Sequence, residues 1–202
     1  MATRCLGSRG RRGRLTLAGL LVLGAALGPG AARAEESTVP AVLQAALLVK
    51  VAAYDQHLPA RAGDTVRTLI VYKASSDDSV RVATQLRAAL GERGTIVDLP
   101  HAEEMVTYQG PGALAPLCRA RKAAIIYLST GFSDEEIVAV AAALNGVDVL
   151  TAGAVPAYVK KGVILGFDLV SGKPTLLVNL AQCHKQHVSL SAHVLRLMTV
   201  VQ

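Results

Sequence analysis

Apolar runs of two kinds alternate along most of the chain, separated by short polar or Gly-containing stretches. Recurrence every three to four residues marks helices, and short continuous or alternating runs mark strands. Over residues 41–54, Val42, Ala46, Val49 and Ala53 share one stripe, with Leu43, Leu47 and Lys50 beside it. This predicts a largely buried helix ending near His57-Leu58-Pro59. A β-branched strand follows at 66–72, then a helix over 79–90 capped by Asp77 or Asp78, with Val82, Leu86 and Leu90 inward and Gly91 and Gly94 at its end. Residues 95–99 read as a second strand, and 100–112, with its Pro, Gly and His, as a connection.

The clearest buried strand is 122–129. Its apolar core, Ala123-Ala124-Ile125-Ile126-Tyr127-Leu128, has no polar face, so it requires cover on both sides. A short helix over 113–121 precedes it. Thr130 or Ser133 caps the next helix, 134–144, whose first turn holds Asp134, Glu135 and Glu136 at the positive end of the dipole. Residues 147–151 read as a strand and 155–159 as a helical turn. Residues 163–170 and 175–180 then form a hairpin about Ser171-Gly172-Lys173-Pro174. Two helical pieces close the chain, the second with Leu190, Val194, Leu197 and Val201 at helical spacing and Ser189 or Ser191 as cap. The alternation predicts an α/β fold of three layers: a mostly parallel sheet flanked by helices, with a C-terminal antiparallel hairpin and a covering helix.

Residues 1–34 have a different character. Arg4, Arg9, Arg11, Arg12 and Arg14 precede an apolar run over 15–27, and Ala32-Arg33-Ala34 offers small residues for cleavage. This is the pattern of a secretory signal peptide, which leaves 35–202 as a single domain. The segment holds six of the 21 Lys and Arg and no acid, so the remainder carries 15 basic against 15 acidic residues. The basic balance therefore belongs to export and gives no reason to expect a nucleic-acid partner. Cys118 and Cys183 remain after cleavage; in an oxidising compartment they are either bridged or two free thiols.

Candidate chemistry is sparse. Neither Gly-rich phosphate-binding pattern lies between a strand and a helix, and there is no Gly-x-Ser-x-Gly elbow. Two polar loops, Ser75-Ser76-Asp77-Asp78 and Ser129-Thr130-Gly131-Phe132-Ser133, fall at the carboxyl ends of parallel strands, where open α/β sheets bind ligands. They read either as small-ligand loops or as helix caps. Cys183, His184, His187 and His193 have the residue types of a zinc or copper site but no acidic partner beside them, and no metal or other cofactor is expected. Cys118 sits beside Arg119 and Arg121, but spacing supplies no base, so no catalytic residue is assigned. Tyr108, Phe132 and Tyr158 are either recognition aromatics or core-edge residues.

The C-terminal segment carries Gly162, Ile164 and Phe167, then Gly172-Lys173, then Val178-Asn179-Leu180, then Ser189, Ser191, Leu195 and Leu197. In this order it resembles the YfiR family of periplasmic proteins. Within that pattern Gly162, Phe167, Gly172, Asn179 and Leu180 are structural. The first helix of the family ends in Trp-Pro, where this chain has Leu58-Pro59, and the family often has a Cys near position 118. The founding member represses a membrane-bound diguanylate cyclase. The resemblance therefore implies a non-enzymatic periplasmic regulator in cyclic-di-GMP signalling, whose partner is the periplasmic domain of a membrane signalling protein, with a homodimer also allowed. The rival readings are a small-ligand receptor working through the two polar loops, and a redox switch working through Cys118 and Cys183.

Overall fold

The computed structural model describes residues 39–201; the signal-peptide reading lies outside them. The elements in chain order are α1 (Ala41–Ala52), α2 (Leu58–Ala62), β1 (Val66–Tyr72), α3 (Asp77–Gly91), β2 (His101–Thr107), α4 (Leu114–Arg121), β3 (Ile125–Leu128) and α5 (Asp134–Ala143). They continue with β4 (Leu150–Gly153), α6 (Ala157–Lys160), β5 (Leu165–Val170), β6 (Lys173–Val178), α7 (Leu180–Lys185), α8 (Ala192–Leu195) and β7 (Met198–Val200). The seven strands form one sheet in the order β2-β1-β3-β4-β5-β6-β7. All neighbours are parallel except β5 and β6, which form the expected antiparallel hairpin. The fold is thus α/β and mostly parallel, with helices on both faces.

Strand side chains divide between two apolar layers. Val66, Ile70, Ile125, Tyr127, Leu150 and Phe167 join the layer that contains α1 and α3, while Leu69, Val71, Ile126 and Leu128 join the layer of α4 and α5. The winding reverses between β1 and β3, since β2 lies to one side of β1 and every later strand to the other. Right-handed crossovers then put α3 on one face and α4, α5 and α6 on the other.

Four local readings are corrected. Residues 95–99 are not a strand. Ile96 and Leu99 exchange backbone hydrogen bonds of 3.0 Å, and Val97 and Asp98 between them take φ of 53° and 60°, which makes a tight turn. The second strand begins after Pro100, within the expected connection; it is partly exposed along most of its length and carries Glu103 and Glu104, so it lacks a buried-strand pattern. The inward face of α1 is Ala41, Gln44, Ala45, Leu48, Val51 and Ala52, and Val42 is 57% exposed. Ser76, rather than Asp77 or Asp78, caps α3. Finally, the last helical piece is a single turn, Leu197 is exposed, and the chain ends as β7, because Met198, Thr199 and Val200 pair with β6.

The turn at Ser171-Gly172 has φ of 52° and 74°, both positive as a two-residue hairpin loop demands. Pro174 sits opposite Leu169, beyond the three residues of β6 that pair with β7, so its missing N–H interrupts no inner ladder. Gly162 has φ of 105°, and a Cβ there would lie 2.6 Å from the Ala141 Cβ. Gly162→Ala is therefore expected to cost about 2–3 kcal/mol in urea unfolding. Gly91→Ala, where a Cβ meets nothing within 4 Å, should be neutral or stabilising.

His101 pins the turn to β2. Its Nε2 lies 2.7 Å from the Arg93 carbonyl, which can only accept, and its Nδ1 meets the Glu103 carboxylate. Burial opposes the imidazolium, but these two acceptors outweigh it and raise the pKa above the ordinary 6.5. A raised value means that this stabilisation is complete below the ordinary pKa and is lost as pH rises through the folded one. Between about pH 5.5 and about pH 9, the wild type should lose more stability than His101→Gln in urea titrations.

Candidate functional site

The reversal of winding places the carboxyl ends of β1 and β3 side by side, and these carry the two polar loops. In open α/β sheets this is where a ligand crevice forms. Here the loops close on each other. The Ser76 hydroxyl accepts from the Ser79 N–H at 3.2 Å, and the Ser79 hydroxyl accepts from the Lys73 N–H at 3.0 Å. From the other loop, the Ser129 hydroxyl donates to the Ser79 carbonyl at 2.7 Å and the Thr130 hydroxyl to the Asp78 carboxylate at 2.6 Å. Gly131, at φ of 87°, approaches so closely that a Cβ would stand 3.2 Å from the Ser76 hydroxyl oxygen.

The second loop leads into a capping box. Ser133 accepts from the Glu136 N–H at 3.3 Å, Glu136 accepts from the Ser133 N–H at 2.8 Å, and the Ser133 hydroxyl donates to Glu135 at 2.8 Å. Lys73 reaches across with two bonds to Glu136, of 3.0 and 2.9 Å. Partial burial opposes the Glu136 charge, but the Ser133 N–H and Lys73 outweigh it and lower the pKa. Asp78 is lowered chiefly by Thr130, with Arg81 assisting against some burial. Ser75 and Asp77 stand exposed. A cavity lined by Gln44, Arg81, Thr130 and Ala154 lies beside the loops but holds only about 80 Å³, against the roughly 300–1,000 Å³ of small-molecule sites.

Phe132 and Tyr158 are buried, and Tyr108 packs edge-on to Phe132 with centroids 5.0 Å apart. The Tyr158 hydroxyl accepts from the Phe132 N–H at 3.1 Å. These aromatics fill the core edge beneath the closed loops. The C-terminal motif is likewise engaged in packing. Phe167 is fully buried, the Asn179 side chain accepts from the Gln182 N–H at 2.9 Å and donates to the Val159 carbonyl at 3.0 Å, and Leu180 packs on the first layer.

Cys118 and Cys183 are free, buried thiols in different apolar layers, so the sheet stands between them and the bridge considered from sequence is not formed. Burial, only partly offset at Cys118 by Arg119, pushes each thiol up to about 12, well away from nucleophilic thiolate at neutral pH. His57, His184 and His187 line a groove of about 410 Å³ with Cys183. Among the described residues, no three His, Cys, Asp or Glu side chains are grouped to hold a metal ion.

Sequence reasoning missed one buried charge cluster. Asp55 is fully buried and pairs with Arg61, whose side chain is 3% exposed; Asp55 also accepts from the His57 N–H at 3.2 Å and the Ser189 N–H at 3.1 Å. The α1–α2 corner is thereby tied to the segment before β7. Asp148, half exposed, meets the same guanidinium at 2.9 Å. Partners 134 positions apart leave no local trace in a sequence.

With this geometry in view, the molecule is an α/β module whose usual ligand crevice is shut by its own side chains. The chain belongs to the YfiR/HmsC-like family, whose model matches residues 41–199. Among curated proteins none matches. Solved structures share the architecture. The ABC domain in complex with L-Trp from Streptococcus pneumonia is 11% identical, with TM-score 0.57, covering 81% of this chain and 62% of that one. A conserved domain protein from Vibrio cholerae is 15% identical, with TM-score 0.57 and coverage of 81% and 60%. The open, ligand-free CD0873, a substrate binding protein with adhesive properties from Clostridium difficile, is 12% identical, with TM-score 0.53 and coverage of 73% and 58%. The chain spans about three-fifths of the length of these structures, and at such identities they show the fold alone. No helix among the described residues is long and apolar enough to cross a membrane.

Arg61→Met should cost about 3–5 kcal/mol in denaturant unfolding, because it strands the Asp55 charge in the interior. Asp148→Asn, at the exposed side of the same guanidinium, should change stability by about 1 kcal/mol or less.

Proposed function

We propose that this protein is an exported, non-enzymatic regulator that binds the periplasmic domain of a membrane-anchored signalling protein of the diguanylate cyclase type and holds it in its low-output state. Membership of the YfiR/HmsC-like family over residues 41–199 carries the reading. Residues 1–34 would supply the cleaved export signal and 35–202 the working domain. Repression of this kind requires only that one state of the target be bound more tightly than the other.

Two features favour binding through the outer surface over the rival readings. The hydroxyls of Ser76, Ser129, Thr130 and Ser133, which a small-ligand receptor would aim at its ligand, are spent on caps and on joining the two loops. The two thiols of the redox reading face opposite layers. Deleting the gene in its native host should raise cellular cyclic-di-GMP. The full chain should restore the lower level, whereas a chain lacking residues 1–34 should not. Unchanged cyclic-di-GMP in the deletion strain would overturn the regulatory reading, and a purified protein whose N-terminus is not Glu35 would overturn the cleavage site.

A further inference from the structure

The sheet has two margins of unequal character. β7 offers three residues, whereas β2 offers seven, in unbroken register with β1 from Val66 opposite His101 to Tyr72 opposite Thr107. The Val66 N–H donates to the Pro100 carbonyl at 2.9 Å and the Tyr108 N–H to the Tyr72 carbonyl at 2.8 Å. Parallel alternation between these two bonds turns the backbone groups of Ala102, Glu104 and Val106 toward β1. Those of His101, Glu103, Met105 and Thr107 point outward, and among the described residues no backbone group pairs with them. Long edges are normally blunted by Pro, a bulge, short length or charged side chains, and of these β2 has only charges.

They are two adjacent acids, of which Glu103 is paired with His101 and nearly buried, whereas Glu104 stands exposed. In the antiparallel register that uses the whole edge, a second copy of this chain would set Glu104 opposite Glu104, and directly opposed like charges are destabilising. Glu104, the exposed member of the pair, favours instead a strand that brings a cation. On the α4 side of β2, beside Glu104, a groove of about 360 Å³ opens against Val106, Leu114 and Leu117, with Arg121 at its rim 3.4 Å from Glu104.

We propose that the outer edge of β2 is a strand-addition site for an extended segment of a partner protein, with Lys or Arg opposite Glu104 and an apolar side chain seated between Val106, Leu114 and Leu117. Main-chain bonds to the four outward residues supply affinity, and the groove and Glu104 supply selectivity. The identity of the partner rests on the regulatory reading above; the edge itself does not.

The test uses the mature chain and a fluorescein-labelled peptide, Thr-Leu-Val-Lys-Lys-Val-Thr, against its counterpart with Glu in place of both Lys. The Lys peptide should bind in preference, and amide exchange should slow at His101, Glu103, Met105 and Thr107 but not at Ala102, Glu104 and Val106. Glu104→Lys should move the preference toward the Glu peptide by about tenfold or more. Met105→Pro removes an outward N–H without touching the β1 ladder and should weaken the Lys peptide by about tenfold with the melting transition retained. Should that variant unfold, the Glu104→Lys comparison decides. Absence of peptide binding, uniform protection along β2, or an unmoved preference in Glu104→Lys would each overturn the proposal. A cyclase periplasmic domain that binds wild type and Met105→Pro equally would overturn the edge as its docking place while sparing the regulatory role. Peptide binding without any cyclase binding would do the reverse.

Discussion

Strand β3 has no polar face, and most of the architecture follows from that. Ile125, Ile126, Tyr127 and Leu128 are all fully buried, so an apolar layer is required on each side, and this open parallel sheet provides both by reversing its winding. The constraint also sets the orientation of the first helix. The Tyr127 hydroxyl points into the layer shared with α1 and needs a partner there. It donates to the Gln44 side chain at 2.7 Å, and the Gln44 amide donates onward to the carbonyls of Val39 at 2.7 Å and Ala154 at 3.3 Å. Bringing Gln44 inside turns α1 so that Val42 faces out, because leaving a buried hydroxyl unpaired costs more than exposing one valine.

The elements that periodicity located well are those whose burial is uniform. β1 matches its expected bounds, β3 nearly so, and α5 to within a residue from its acidic first turn, with Ser133 the cap of the two candidates, because each is governed by local composition. Errors gathered where a distant partner decides. The stripe of α1 differs from its sequence pattern because Gln44 counts as polar until its bond to Tyr127 is known. β2 resembles a connection in sequence because an edge strand tolerates His, Glu and Met together, and the segment after Ser191 has helical spacing although β6 leaves a margin that Met198, Thr199 and Val200 fill as a strand.

The polar loops were legible as a place but not as a role. Their position at the reversal of strand order follows from the alternation of elements, and their Ser, Thr and Asp content suits both caps and ligands. What separates the two is whether the hydroxyls of one loop find acceptors in the other, a matter of ångströms between segments 50 residues apart. Gly172 is legible as a turn glycine, since its positive φ favours that residue, whereas Asn179, expected within the second hairpin strand, caps α7.

The inequality of the two sheet margins limits what can be built on this molecule. Lateral growth of a β-assembly into a filament requires a usable rim at both ends of every unit. Here one rim is stunted at three residues, with Pro174 just beyond its contact with β6, and only the other runs to seven. An assembly that grew by adding strands to this sheet would therefore extend at one margin only and stop at the first neighbour.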